Sequence, residues 1–355
     1  MKLGLIGFPQ VGKRTLFTLL TGQNVNGDKG REEIIGLAKV RDVRFDRLVH
    51  LYGPRKETPA LLEFVLLPDL DIQASRNASL LPDLAQVDVI CHMVRAFQDE
   101  TIFHVHGSIN PARDFLFFIG ELQLNDLIFI EKRLERIKKE YPRLNEKKRA
   151  DAETDLLLRV REHLEGNRFL RSFPLTEEEK KLISGYPLLT RKPLILVLNV
   201  GEEDLKHPEQ ISALTRDFPE EDFPWIAVSA KIEQEISLLT GEERAEFLRE
   251  LDIDQPALDQ LTLLCFQNLG LISFFTVGAD EVRAWTIPQG SLAPLAGGAI
   301  HSDIQRGFIR AEIMKYDDLF KLGSEQKIKE AGRFMQKGKD YMVEDGDIIN
   351  FLFNV

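Results

Sequence analysis

Hydrophobic positions fall into three successive patterns along this chain. Leu3-Gly4-Leu5-Ile6 and the stretches 61–67, 87–94, 193–198 and 225–228 are short continuous apolar runs, separated by stretches of helical spacing. Runs of that length predict strands buried on both faces, hence an α/β fold with a parallel-type sheet under helices. Between the third and fourth runs, Leu127, Ile130, Leu134 and Ile137 step by three and four, and Leu156, Val160 and Leu164 repeat the step. This predicts an antiparallel helical hairpin, its first helix ended by Tyr141-Pro142 and its second by Gly166. From Ile272 the pattern turns to short alternating strands, 282–287, 308–314 and a terminal pair about the turn dipeptide Asp345-Gly346, with short helices at 317–321 and 324–331.

The ligand edge of a parallel sheet lies where strands end and loops begin. After the first run comes Gly7-Phe8-Pro9-Gln10-Val11-Gly12-Lys13-Arg14-Thr15, followed by a helical stretch at 16–20. Strand, glycine-rich loop and helix in that order are the context of a P-loop. Its glycines let successive N–H groups face a phosphate, and the helix start adds its positive end. Gly7, Gln10, Val11, Gly12, Lys13, Arg14 and Thr15 are the candidate phosphate-binding residues. Lys13 supplies charge to the outer phosphates and Thr15 contacts an inner one. A chance glycine-rich turn is the alternative, and the flanking strand and helix argue against it.

Two later loops complete the set. Asn199-Val200-Gly201-Glu202 follows the fourth run, where guanine-specific P-loop proteins carry Asn-Lys-x-Asp. Val200 replaces the lysine stem that packs on the base, and Glu202 is a longer acid, so a guanine preference is not expected. Ser229-Ala230-Lys231 matches the Ser-Ala-Lys that closes a base pocket from the next loop. Asn199, Val200, Glu202, Ser229, Ala230 and Lys231 are the candidate base-binding residues, for ATP or GTP. The plainer alternative is that Asn199 caps a helix and Ser229 ends a strand.

The metal side is weaker. Arg14 stands where a hydroxyl normally holds Mg²⁺. The loop at 23–33 reads as mobile and sits where a first switch would lie, yet no Ser or Thr occurs between Gly22 and Glu57. The second switch, Asp-x-x-Gly, is replaced by Pro68-Asp69-Leu70-Asp71-Ile72. Thr15, Asp69 and Asp71 are the remaining metal candidates, and no catalytic residue can be assigned.

Composition narrows the partners. The chain has 355 residues, 43% hydrophobic and 29% charged, with a net charge of −11. It therefore has no overall attraction to nucleic acid. Residues 131–149 are the exception, with nine Lys/Arg against four Glu, a local +5. That run is either a solvated helix face or a contact to RNA phosphates. Cys91 and Cys265 are the only cysteines, which suits a reducing cytoplasm. No signal peptide or membrane span is expected.

Several stretches together carry a resemblance over nearly the whole chain: Glu131-Lys132-Arg133-Leu134-Glu135-Arg136, Ser229-Ala230-Lys231-Ile232-Glu233, Phe274-Phe275-Thr276, Glu281-Val282-Arg283-Ala284-Trp285, Ile300-His301-Ser302-Asp303, Gly307-Phe308-Ile309-Arg310-Ala311-Glu312, Gly338-Lys339-Asp340-Tyr341 and Asp345-Gly346-Asp347. The sequence resembles the Obg-like ATPases of the YchF type. The resemblance implies a P-loop NTPase G domain at 1–115 and 190–272, an inserted helical coiled-coil domain at 116–189, and a C-terminal β-grasp TGS domain at 273–355. It also implies ATP use through Asn199-x-x-Glu202 and association with ribosomes. Arg14, the Thr-poor first switch and the altered second switch depart from the family pattern.

Three functions remain open on this basis: a nucleotide-binding protein with weak or absent hydrolysis, an active ATPase or GTPase with non-standard metal ligands, and a ribosome- or RNA-binding module that no longer uses nucleotide.

Overall fold

The structure is a computed structural model and describes residues 1–25, 34–77, 79–140, 147–207, 209, 211, 223–251 and 253–354. The 26–33 part of the loop expected at 23–33, and the Tyr141-Pro142 helix stop, lie outside the described residues. The strands up to the helical insertion and beyond it are β1 (Lys2–Ile6), β2 (Ile34–Lys39), β3 (Lys56–Thr58), β4 (Leu61–Leu66), β5 (Val89–Arg95), β6 (Leu194–Asn199) and β7 (Trp225–Val228). Six of them form one sheet of order β2-β4-β1-β5-β6-β7. β4, β1, β5, β6 and β7, the five expected apolar runs, are parallel throughout. Every residue of β5 and β6 is buried, as strands covered on both faces require. β2 alternates in burial instead, with Ile35 and Leu37 exposed, although Ile34-Ile35-Gly36-Leu37-Ala38 is apolar throughout, and it was not read as a strand from the sequence.

Helix α1 (Lys13–Thr21) follows β1, and α2 (Val43–Tyr52) is capped by Asp42, whose carboxylate accepts from Arg44 N at 2.9 Å. The hairpin consists of α3 (Pro111–Glu140) and α4 (Lys147–Glu165). Its apolar seam joins Ile130 and Ile137 to Leu156, Val160 and Leu164, with Leu127 and Leu134 partly buried beside them. α3 starts earlier than the seam suggests, because its first turns cover the sheet: Phe115 and Phe118 lie against the His92 ring of β5. Arg133 cross-links the helices through both carboxylate oxygens of Glu153, at 2.6 and 3.1 Å. Beyond α4 the left-handed residue is Asn167 (φ 56°), one position after the expected Gly166. Helix α5 (Glu202–Leu205) follows β6, and α6 (Ala230–Leu238) follows β7.

The described chain divides into two compact units, Met1–Gly36 with Glu63–Leu258, and Leu37–Leu62 with Asp259–Val355. The second unit holds a mixed sheet of β8 (Leu271–Thr276), β9 (Glu281–Pro288), β10 (Phe308–Lys315), β11 (Met335–Lys337) and β12 (Asp347–Phe353), in the order β11-β10-β12-β8-β9-β3. β8 and β9 are antiparallel, β10 and β12 are antiparallel, and β12 runs parallel to β8 at the centre. Two hairpin-like pairs joined by a central parallel pair, with the helix Ala293–Ile300 packed on them, make the expected β-grasp. β3 joins this sheet beside β9, which is why 37–62 groups with the C-terminal part.

The turn at Asp345-Gly346 forms, with Gly346 at φ 88°, but it does not close a terminal hairpin. Met342 bridges Leu292, and β12 pairs with β10 and β8. The turn is held from outside. Ser273 N donates to Asp345 Oδ1 (2.9 Å), Gly346 N to Ser273 O (2.8 Å), and Arg44 Nη1 to Asp345 Oδ2 (2.7 Å). No described helix is long and apolar enough to cross a membrane, and both cysteines are buried.

Candidate functional site

Within the first unit, the loops after β1, β5, β6 and β7 open on one cleft of about 800 Å³. All the sequence-selected candidates except Gly7, Val11 and Asp71 line it. Gly7 and Val11 belong to the same loop as the lining residues Phe8 to Gln10 and Gly12, and both are buried.

The loop between β1 and α1 has no room for side chains at its glycines. A Cβ at Gly7 would collide with the Met93 carbonyl, and one at Gly12 with Asn199 Nδ2. Gly12 also takes φ 96°, where an L-residue is strained. Gln10 adopts φ 62° despite its side chain, an uncommon conformation of the kind that collects at binding loops. Gly12 caps α1 without any side-chain hydrogen bond, and the first turn carries no acidic residue. The positive end of α1, with Arg14 and Thr15 in its first turn, is thus directed at the cleft.

Asn199 holds the cleft together. It is buried, its Nδ2 donates to Val11 O at 2.8 Å, and its Oδ1 accepts from Ala230 N at 3.1 Å. One amide therefore ties the phosphate-side loop to the 229–231 loop. That is a strut, so Glu202 rather than Asn199 is the group with capacity left for a ligand. Glu202 opens α5 with its carboxylate 39% exposed and Lys206 at 3.7 Å. Val200 is buried, with its N–H on Val228 O at 3.0 Å. Ser229 is buried at the start of α6, and Lys231 is exposed on the cleft wall.

Lys13 is 4% exposed and does not reach across an open loop. Its Nζ donates to Leu67 O (2.7 Å) and Pro68 O (3.0 Å) and pairs with Asp69 Oδ1 at 2.8 Å. Burial pulls the Lys13 pKa below the usual lysine value, with the Asp69 carboxylate acting in the opposite direction. Asp71 is turned into its own loop. It accepts from Gln73 N (2.8 Å) and Arg76 (3.0 Å), bonds that hold its pKa below the usual carboxylate range.

These contacts bear on Mg²⁺. Oxygen donors suit that ion. Here Asp69 is engaged by Lys13, Asp71 is absent from the cleft, and Arg14 brings a cation to the hydroxyl's place. Among the described residues no group of three or more His, Cys, Asp or Glu could hold a metal. Of the metal candidates, Thr15 and Asp69 line the cleft, and the described residues do not match the donor set of an ordinary P-loop Mg²⁺ site.

One wall of the cleft was not read from the sequence. Residues 97–99, 101 and 102 line it, and the buried Arg95 at the end of β5 bonds to this loop. The only hint in the sequence is a lone charge closing an apolar run.

A parallel sheet with a glycine loop between β1 and α1, and polar loops gathered at the strand ends, defines a P-loop protein of the G-domain class. A family profile, YchF-GTPase_C, described as a protein of unknown function, matches residues 271–354. The "Ribosome-binding ATPase YchF" of Bacillus subtilis (strain 168) is 40% identical over 365 aligned residues, covering 99% of each chain. The protein of that name from Escherichia coli O157:H7 is 36% identical, covering 100% of this chain and 99% of its own. The solved YchF GTPase of Schizosaccharomyces pombe superposes with a TM-score of 0.84 at 31% identity, covering 99% of this chain and 97% of that one. The chain belongs to the YchF family.

Proposed function

We propose that the cleft binds a purine nucleoside triphosphate, ATP at least as well as GTP, and hydrolyses it slowly or not at all. The protein acts at the ribosome or on structured RNA, in the cytoplasm. The observation that carries the nucleotide reading is the Asn199 amide, which joins a glycine-loop phosphate cradle and a base-side loop into one cleft. Gly12 and the first turn of α1 offer N–H groups to the phosphates, with Gly7, Gln10 and Val11 shaping the loop. Lys13 supplies charge to the β and γ positions, Thr15 contacts an inner phosphate, and Arg14 neutralises phosphate oxygens in place of a cation. Glu202, Val200, Ala230 and Lys231 face the base. Mg²⁺ adds little, since its usual protein donors are replaced. The relatives' name, ribosome-binding ATPase, and the basic turns of the α3/α4 hairpin support the partner.

Titrating ATP and GTP with and without Mg²⁺ tests this reading. ATP should bind at least as tightly as GTP, in EDTA as well as in Mg²⁺. A tenfold preference for GTP, about 1.4 kcal/mol, overturns the base assignment. The Lys13–Asp69 pair favours a second reading, a ribosome-binding module that has given up nucleotide, and binding of neither ligand would select it.

A further inference from the structure

Arg95 is the last residue of β5 and only 1% exposed. A guanidinium in such a place is costly unless its N–H groups find acceptors. Three of them find backbone carbonyls of one short loop. Nε donates to Phe97 O at 3.1 Å, Nη2 to Asp99 O at 3.0 Å and Nη1 to Ile102 O at 3.0 Å. The guanidinium carbon also lies 4.5 Å from the centre of the Phe97 ring. Three carbonyls converging on a single planar fork fix the path of the loop. A lysine ammonium, a compact point charge, cannot span them.

The loop so held is a wall of the cleft, through Phe97, Gln98, Asp99, Thr101 and Ile102. Its start is fastened to the base side. Ala96 N and Phe97 N both donate to Asn199 O, at 2.8 and 3.0 Å, and Arg95 faces Asn199 in the β5/β6 ladder. Asn199 links the phosphate loop to the 229–231 loop, whereas Arg95 shapes the wall beside them. Arg95 itself does not line the cleft.

We propose that Arg95 is a positioning residue for base selection: by holding 97–102 it fixes the surface against which a purine nucleoside is read, without touching the ligand. This rests on the nucleotide reading given above. The base-dependent part of the affinity then depends on Arg95, and the phosphate-dependent part does not.

The test is to titrate ATP, GTP and inorganic tripolyphosphate into the wild-type protein and into Arg95→Lys. ATP should weaken by about tenfold, equivalent to about 1.4 kcal/mol, and the ATP-to-GTP ratio should move towards one. Tripolyphosphate affinity should stay unchanged. Equal losses for all three ligands would make Arg95 a general structural residue, and no loss would detach the loop from the ligand; either result overturns the proposal. Wild-type protein that binds tripolyphosphate as well as it binds ATP overturns the nucleotide reading itself, and shows this before any variant is made. If Arg95→Lys does not fold, Asp99→Ala loosens the same loop from its exposed side. It removes the bonds from Thr101 N (2.9 Å) and Thr101 Oγ1 (2.6 Å). An unchanged ATP-to-GTP ratio in that variant also overturns the proposal.

Discussion

The ammonium of Lys13 stands 2.8 Å from Asp69 Oδ1, while the carbonyls of Leu67 and Pro68 take two more of its hydrogen bonds. A phosphate arriving in the cleft must share or displace these partners, and Asp69 is the one whose charge opposes it. The Asp69 side chain is 42% exposed, so the pair is partly screened and worth at most about 1 kcal/mol. Asp69→Asn should therefore tighten metal-free ATP by up to about fivefold, measured by calorimetry in EDTA. If Asp69 is instead a Mg²⁺ ligand, the same variant will lose affinity in Mg²⁺ and gain none in EDTA.

Asn199→Ala removes both ends of a buried strut. It leaves Val11 O and Ala230 N without their side-chain partner, a loss of about 1–3 kcal/mol for such groups. Thermal unfolding should shift down accordingly. Affinity should fall for ATP, GTP and tripolyphosphate together, because the phosphate loop and the base loop loosen at once. This distinguishes Asn199 from Arg95, whose loss should be confined to the nucleoside.

His92 gives the acid limit of the fold. It is fully buried on β5 against Phe115 and Phe118, and neither ring nitrogen has a hydrogen-bond partner among the described residues. Burial, with the nearby Lys13 charge adding to it, pushes its pKa from 6.5 down to about 3. The unfolded chain takes up this proton below pH 6.5, and the folded chain only near pH 3. The unfolded state thus binds more protons within that window, so stability falls as pH drops through it. The full effect is at most roughly 5 kcal/mol, at about 1.4 kcal/mol per pH unit. His92→Phe should keep or raise stability at pH 7 and flatten the acid limb in denaturant titrations between pH 6.5 and 4. An unchanged slope would place the acid sensitivity elsewhere.

Lys138 and Lys139 lie exposed in the last turn of α3, and Lys147 is exposed at the start of α4. If this end of the hairpin meets RNA phosphates, reversing all three to Glu should weaken ribosome co-sedimentation. It should also lower the salt slope by about one unit per lost contact. Equal pelleting of both proteins at two salt concentrations would make these lysines an ordinary solvated surface.

What could be read from the sequence was whatever depends on neighbours along the chain. β1, β4, β5, β6 and β7 are built on predominantly apolar runs, and Gly7 to Thr15, Asn199 and Ser229 are recognisable because each directly follows such a run. The segment 34–60 was not read. β2 is only half buried, with Ile35 and Leu37 exposed, and β3 is three residues long and finds its partner in β9, far along the chain. The partners of Lys13 escaped for a similar reason, since two are backbone carbonyls from the loop after β4. Arg95 escaped because three of its acceptors are also backbone carbonyls, which no spacing of residue types announces. At Asp345-Gly346 the turn was legible and the hairpin was not, because Ser273 and Arg44 hold the turn from elements distant in sequence.

The proposed cleft binds ATP without the usual metal supports and hardly turns it over. Phosphate release under saturating ATP, with Mg²⁺ and with EDTA, measured on protein shown by titration to be ATP-bound, tests it most directly. Turnover should lie at or below ~10⁻³ s⁻¹, near the intrinsic rate of an unassisted GTPase and little changed by EDTA. Turnover ten times faster or more than that, abolished by EDTA, would contradict it and mark the protein as an ATPase that finds its Mg²⁺ ligands elsewhere.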